Sequence, residues 1–320
     1  MEESLPSFAP SASWEVLRRR AELLASLRRF FDERGFLEVE TPLLCRDSVV
    51  DVHLEPFVVP LPAEEGGLRY LQTSPEFAMK RMLAAGGEAI YQVTRAFRRG
   101  EQGRWHNPEF TMVEWYRVGD DMRAGMALLA ELADRLLGLF PRECCYAEAF
   151  RESVGIDPLE ASDEELAEAA RVRGWNGSSH DERDDWLDFL FATVVVPSLP
   201  ADVPILLYHY PASQAALARL APDDARVAER FELFFRGVEL ANGYHELTDA
   251  NEWRRRAESA NERRRRRGRP PIPVESWLLE AMEQGLPPAS GTALGFDRLV
   301  MTALGKESLA EVMAFPWDRV

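Results

Sequence analysis

Two arginine-centred stretches, far apart in the chain, carry the residue types most suited to chemistry. One is Phe97-Arg98-Arg99-Gly100-Glu101, followed by His106-Asn107-Pro108-Glu109-Phe110 and Glu114; the other is Gly291-Thr292-Ala293-Leu294-Gly295-Phe296-Asp297-Arg298. A guanidinium is planar, permanently charged and forked, so it can grip a phosphate oxygen and also stack on a base. Two of them, delivered by different strands, can clamp a nucleoside triphosphate from opposite sides. No G-x-x-x-x-G-K-[ST] loop is present, because Gly305-Lys306-Glu307 lacks both the upstream glycine and the hydroxyl; G-x-G-x-x-G after a strand, H-E-x-x-H and G-x-S-x-G are absent as well. A nucleotide must then be held without a glycine-rich loop, which favours an arginine clamp on an antiparallel sheet.

The elements that would position these side chains follow in order. Ser13 predicts an N-cap for an amphipathic helix over 14–33, with Leu17, Leu24, Leu27 and Phe31 near one face and Gly35 ending it. Alternation over 36–41 reads as a strand stopped by Pro42, with shorter strands at 54–59 and 68–72. Ser74-Pro75 opens a helix over 76–85. Residues 89–98 and 109–118 form a long hairpin whose loop holds the first arginine motif, and a helix covers 122–139. Segment 141–204 is helical, acidic and interrupted by proline, an insertion without recognisable chemistry. Strands at 205–210 and 231–240, a charged helix at 249–267, a helix at 275–284, a strand at 290–295 and a helix at 296–304 complete the chain. Antiparallel strands in a row with helices outside them imply an α+β fold. With no internal repeat and no clear linker, residues 1–320 read as one domain containing that insertion.

Bulk properties narrow the function. A chain of 320 residues that is 46% apolar can bury a sizeable core. A net charge of -16 disfavours holding a polyanion by counterion release, so stable tRNA binding is not expected. Cys45 and the vicinal pair Cys144-Cys145 form no C-x-x-C pair and no disulfide framework. The start Met1-Glu2-Glu3 is acidic where a signal peptide is basic, and no apolar run is long enough to span a bilayer, so a soluble cytoplasmic protein is expected.

The three-part order, helix to Pro42, then Phe97-Arg98…His106…Phe110…Glu114, then Gly291…Gly295-Phe296-Asp297-Arg298, resembles the motifs of class II aminoacyl-tRNA synthetases. Thr73-Ser74-Pro75-Glu76, Glu239 to Leu247 and Gly285-Leu286-Pro287-Pro288 resemble the lysine-specific branch. Lysyl-tRNA synthetases place an anticodon-binding domain before this core, whereas barely a dozen residues precede the first helix here. The full pattern, including His106 to Tyr116 and Pro211-Ala212-Ser213-Gln214-Ala215, is similar to the elongation factor P lysine ligase family. That family activates (R)-β-lysine with ATP and transfers it to one lysine side chain of elongation factor P.

The resemblance implies an acyl-adenylate route, in which positioning and charge stabilisation replace a protein nucleophile. Arg98 would hold the α-phosphate, and Phe110 would stack on adenine with Arg298 on its other face reaching toward the γ-phosphate. Arg99, Gly100, Glu101 and Asn107 would border the nucleotide, and the backbone at Leu240 and Gly295 would let it approach closely. Glu239 and Glu246 could reach Mg²⁺. Ser74, Pro75, Glu76, Tyr116, Glu246 and Ala293 would contact the amino-acid substrate, whose two ammonium groups need anions and an aromatic wall. Glu246 can serve metal or amine. Class II patterns place an acid where Gly100 stands, with Glu101 one step late here, and α-lysine enzymes carry glycine where Ala293 stands. The methyl group of Ala293 is expected to narrow the pocket floor against an α-amino group. The resemblance also implies a homodimer through 14–33 and 36–41.

Two further functions compete. One is a truncated lysyl-tRNA synthetase paralogue that activates lysine for tRNA or another amine, and the other is a non-catalytic regulatory paralogue. A plainer reading stands beside each role: Arg98 and Arg298 as structural ion-pair arginines, Phe110 as a core residue, Glu239 and Glu246 as solvated strand residues, and His106 as a cap of the hairpin loop. His53, His180 and His209 carry no expected catalytic role. The arginines at 254–256 and 263–267 read as a solvated helix face, or alternatively as a dock for an acidic partner or phosphates.

Overall fold

The structure is a computed structural model that describes residues 8–177 and 181–320; the Met1-Glu2-Glu3 start and His180 lie outside them. Helix α1 (Trp14–Asp32) begins where the Ser13 hydroxyl accepts from Val16 N, and it buries Leu27, Phe30 and Phe31. Leu17 and Leu24 remain half-buried on the same helix. The strand expected over 36–41 shrinks to β1 (Leu37–Glu38), and β2 (Leu44–Cys45), β3 (Val58–Pro60) and β4 (Leu68–Leu71) make a small separate sheet. Helix α2 (Glu76–Ala84) follows Pro75, and the hairpin is β5 (Ala89–Phe97) with β6 (Glu109–Val118). Helix α3 (Met122–Leu137) closes at Gly138, whose φ of +70° is the left-handed geometry that suits glycine.

Segment 141–204 departs from an all-helical reading. Its first residues form β7 (Arg142–Cys145), which pairs in parallel with β8 (Ile205–Pro211) as the outermost strand of the main sheet. An edge strand tolerates the charges of Arg142 and Glu143, which is why its sequence does not alternate. Helices α4 (Tyr146–Val154), α5 (Asp163–Val172), α6 (Arg183–Leu190) and the short α7 (Val196–Ser198) then pack around Phe150, Leu166, Leu187 and Leu190.

A second correction falls on 231–240. The single expected strand is a hairpin, β9 (Val227–Phe235) and β10 (Val238–His245), turned at Arg236 and Gly237 with φ of +52° and +74°. Two successive positive φ values suit a tight hairpin turn, but Arg-Gly lacks the Asn-Gly signature that announces one. Helices α8 (Ala250–Arg266) and α9 (Trp277–Gly285), strand β11 (Ala289–Gly295) and helix α10 (Phe296–Ala303) complete the fold.

The main sheet has eight strands in the order β1-β5-β6-β11-β10-β9-β8-β7, antiparallel except at its two ends. Period-two alternation divides its faces. Val113, Trp115, Phe231, Leu233 and Leu294 point into a core shared with α1, α3 and α10. Their neighbours Glu114, Tyr116, Gly291, Ala293, Asn242 and Tyr244 take the other face, with Ala293 paired to Glu114 and Asn242, and Gly291 paired to Tyr116 and Tyr244. That grid is the floor of the site. Helix α8 does not present a free basic face: Arg263, Arg265, Arg266 and Arg267 meet Asp184, Glu262, Glu182 and Asp185. Arg264 is 1% exposed and binds Glu55 and the carbonyls of Asp51, Leu54 and Pro270. The run braces α8 against α6 and the 51–55 segment, while the Arg265 and Arg266 side chains stay more than half exposed.

Among the described residues, no helix is long and apolar enough to cross a membrane.

Candidate active site

The β5–β6 hairpin and the β11–α10 junction bring the two arginine motifs to one end of the grid. The Arg98 guanidinium carbon stands 5.0 Å from the centre of the Phe110 ring. Its Nε donates to the Thr73 carbonyl at 3.3 Å, and a terminal nitrogen is 3.8 Å from Glu101. These contacts are loose for a guanidinium, so donors remain free for an anion. Gly100 turns the chain at a φ of +86°, a geometry that disfavours an acid at that position and delivers the carboxylate one residue later, at Glu101.

Arg298 is held more firmly. It donates to the Trp105 and Glu239 carbonyls, each at 3.1 Å, and to His106 Nε2 at 2.8 Å. Burial, then the charge of Arg298, lowers the His106 pKa, and Arg98 lowers it further, so both guanidiniums act on one imidazole. A neutral ring is what an arginine donor requires. His106 thus orients Arg298, a role that its position in the hairpin loop did not announce.

Asp297, 2% exposed, joins the two motifs to α1. One carboxylate oxygen pairs with Arg20 at 2.6 Å, and the other accepts from the Thr111 backbone N–H at 2.7 Å. Arg20 also donates to the Thr111 hydroxyl and lies over the Phe296 ring. This hub was missed from sequence because its three members are separated by long stretches of chain.

The other end of the grid is an acidic pocket. The Ser74 hydroxyl donates to Glu114 at 2.7 Å, and the Tyr116 hydroxyl donates to the same carboxylate. Lys80 Nζ lies 2.5 Å from Glu76 and 2.5 Å from Glu246. Burial, reinforced by Glu76, pushes the Glu114 pKa up to about 7. Burial also pushes Glu246 up to about 8, with Lys80 opposing the shift and Glu76 adding to it. A Cβ at Gly291 would come within 2.2 Å of the Tyr116 ring and 2.3 Å of Glu246, so only glycine leaves this floor open. Lys80 was also missed, although its four-residue spacing from Glu76 on one helix was a usable signal.

The remaining expected residues divide. Seven positions separate Glu239 from Glu246, an odd spacing, but a register shift between Glu239 and Ala241 absorbs one residue and returns both to the site face. Their surroundings differ: the Glu239 side chain is 41% exposed beside Arg298, and that of Glu246 is 1% exposed against Lys80. Glu246 therefore sits in an ammonium environment, and of the two only Glu239 is open to a metal ion. Among the described residues, no group of three or more His, Cys, Asp or Glu side chains could hold a metal by itself. Arg99 pairs with Glu55 on the surface. Asn107 donates to the Glu109 carbonyl and accepts from Trp317 N, so its amide serves the loop. The Leu240 side chain is buried, which leaves only its backbone for a ligand, and a Cβ at Gly295 would meet nothing closer than 3.6 Å. Pro75 caps α2 and places Ser74 against Glu114.

Residues 7–319 match the family model of tRNA synthetases class II (D, K and N). Over 319 residues, 98% of this chain and 98% of each relative, the chain is 48% identical to proteins named elongation factor P–(R)-β-lysine ligase from Salmonella dublin, Salmonella paratyphi B and Salmonella heidelberg. With the two arginine motifs meeting around His106 at one end of the sheet, this match over nearly the whole length shows that the chain belongs to the class II (D, K and N) tRNA synthetase family.

Proposed function

We propose that the protein is an ATP-dependent, AMP-forming ligase that activates (R)-β-lysine and transfers it to a lysine side chain of elongation factor P, as the names of its relatives suggest. The observation that carries the reading is the pocket of three buried carboxylates, Glu76, Glu114 and Glu246, in which the Lys80 ammonium pairs with Glu76 and Glu246. Such a pocket suits a substrate with two ammonium groups, whose carboxylate would then face Arg98. The half-free donors of Arg98 and the firmly oriented Arg298 fit a triphosphate, and Glu239 could hold Mg²⁺, which would screen phosphate charge. The substrate carboxylate oxygen forms a bond to the α-phosphorus as the bond to pyrophosphate breaks. The neutral amine of the acceptor lysine then attacks the acyl carbon, the bond to AMP breaks, and the new amide loses a proton. Arg98 would stabilise charge on the α-phosphate, Phe110 and Arg298 would flank the adenine, and Arg99, Gly100 and Glu101 would border it. Ala293, between Glu114 and Asn242 in the sheet, would narrow the floor beneath the substrate.

Mass spectrometry of elongation factor P after incubation with enzyme, ATP and (R)-β-lysine should show one added β-lysyl group on one lysine. Charging of tRNA with no modified protein would favour the truncated synthetase reading, and no amino-acid-dependent ATP–pyrophosphate exchange would favour the non-catalytic one.

The same reading includes a cytoplasmic homodimer without stable tRNA binding. Its three cysteines are free thiols, and Trp14, Leu37 and Leu44 are exposed on α1, β1 and β2, with Leu37 at 64%. Sedimentation should give a dimer at micromolar concentration; a clean monomer removes this part of the proposal.

A further inference from the structure

Of the 38 lysine and arginine residues, only Lys80 and Lys306 are lysine. Arginine is this chain's default cation, yet the one fully buried position between two carboxylates is lysine. Geometry gives a reason. A compact ammonium can sit 2.5 Å from both Glu76 and Glu246 in a closed space, whereas a planar fork needs more room and aligned partners. Lys80 is 2% exposed and lies 6.0 Å from the centre of the Tyr116 ring, against the floor described above.

The charge count is equally specific. Glu76, Glu114 and Glu246, all ionised, carry three negative charges, and Lys80 carries one positive. The groups facing this space are Glu76 and Lys80 on α2, Glu114 and Tyr116 on β6, Tyr244 on β10 and Glu246 just after it, with Ser74 donating to Glu114; beside Tyr244, Arg230 and Glu232 on β9 pair with each other at 2.5 Å and leave the count unchanged. We propose that Lys80 is a positioning and specificity residue: it ties Glu76 to Glu246 and leaves the pocket two uncompensated negative charges, which match a substrate carrying two ammonium groups. Burying two unpaired carboxylates is costly, so the empty pocket retains protons that a diammonium ligand displaces. The raised Glu114 and Glu246 pKa values agree with this. Burial alone would lower the Lys80 pKa, but Glu246 and Glu76 more than offset it and hold the amine protonated. A protonated amine is not a nucleophile, so Lys80 can line a site that generates a reactive acyl group without being acylated.

The inference rests on the pocket being the (R)-β-lysine site. Lys80→Met keeps the side-chain length and removes the charge. In ATP–pyrophosphate exchange near pH 7 it should raise the KM for (R)-β-lysine about tenfold or more, with the KM for ATP within about twofold. Without Lys80, Glu114 and Glu246 titrate higher, so the pH at which amino-acid binding levels off should rise by about one unit or more. An unmoved pH profile, or an equal loss for ATP, overturns the proposal and makes Lys80 a core filler. Should the variant fail to fold, calorimetry on the wild type decides. Binding of (R)-β-lysine in two buffers of different ionisation enthalpy should release protons, more near pH 6.5 than near pH 8; no release at either pH overturns the charge match. A wild-type enzyme without amino-acid-dependent exchange removes both this inference and the function it rests on. Exchange in the wild type with an unmoved profile in the variant removes this inference alone.

Discussion

Replacing Arg298 with alanine should lower amino-acid-dependent ATP–pyrophosphate exchange by about 10²–10³-fold, the range found when one preorganised donor to developing charge is removed. The fold should survive. Arg298 gives up hydrogen bonds to two carbonyls and to His106, and water can reach what remains because the side chain is 22% exposed. Hydrogen bonds that involve a charged group are worth about 1.5–3 kcal/mol each in net stability, and water reaching the carbonyls and His106 offsets part of that, so chemical denaturation should register a measurable loss. Arg298→Lys keeps the charge but lacks the fork that meets Trp105, Glu239 and His106 together, so it should recover only a small part of the activity. His106→Ala should be milder than Arg298→Ala, because it removes one of three restraints and leaves the guanidinium in place. Full exchange activity in Arg298→Ala would mean that the C-terminal motif does not act on the nucleotide.

Residues that act through local pattern were legible in the sequence. The hairpin Ala89–Val118, the Gly295–Phe296 strand-to-helix junction and the Ser13 cap all announce themselves within a few positions, and the structure has them in those places. What escaped depends on three-dimensional closure. The β9–β10 turn uses Arg236 at positive φ, which no propensity favours. The bulge that brings Glu239 and Glu246 to one face is invisible without a partner strand. Strand β7 is charged because only one of its edges is paired. The arginines of α8 looked available because their acids lie on α6 and on neighbouring loops. Within the site, sequence marked the side chains expected to touch ligands but not those that hold them, Lys80, His106, Arg20 and Asp297.

Asp297 is where that omission has its largest consequence for stability. Its carboxylate is buried, pairs with Arg20 of α1 and accepts from Thr111 N of β6, so one side chain fastens three elements directly behind the nucleotide end of the site. Asp297→Ala leaves the Arg20 guanidinium, itself only 18% exposed, without its counter-ion, and leaves the Thr111 amide without an acceptor. Breaking a buried pair from one side typically destabilises by about 3–5 kcal/mol, so urea unfolding should shift by an amount of that order. Asp297→Asn retains an acceptor for Thr111 and should fall between wild type and alanine. A double-mutant cycle separates pairing from simple burial. Arg20→Met with Asp297→Leu removes both charges, and its loss should be clearly smaller than the sum of the two single changes. Strict additivity would show that the two charges do not depend on each other. Exchange activity need not follow stability in that double variant, because Arg298 sits one residue after Asp297 and takes its direction from the first turn of α10. A double variant that is stable but slow would locate the work of Asp297 in aiming the helix start, and one that is stable and fast would confine it to holding the fold.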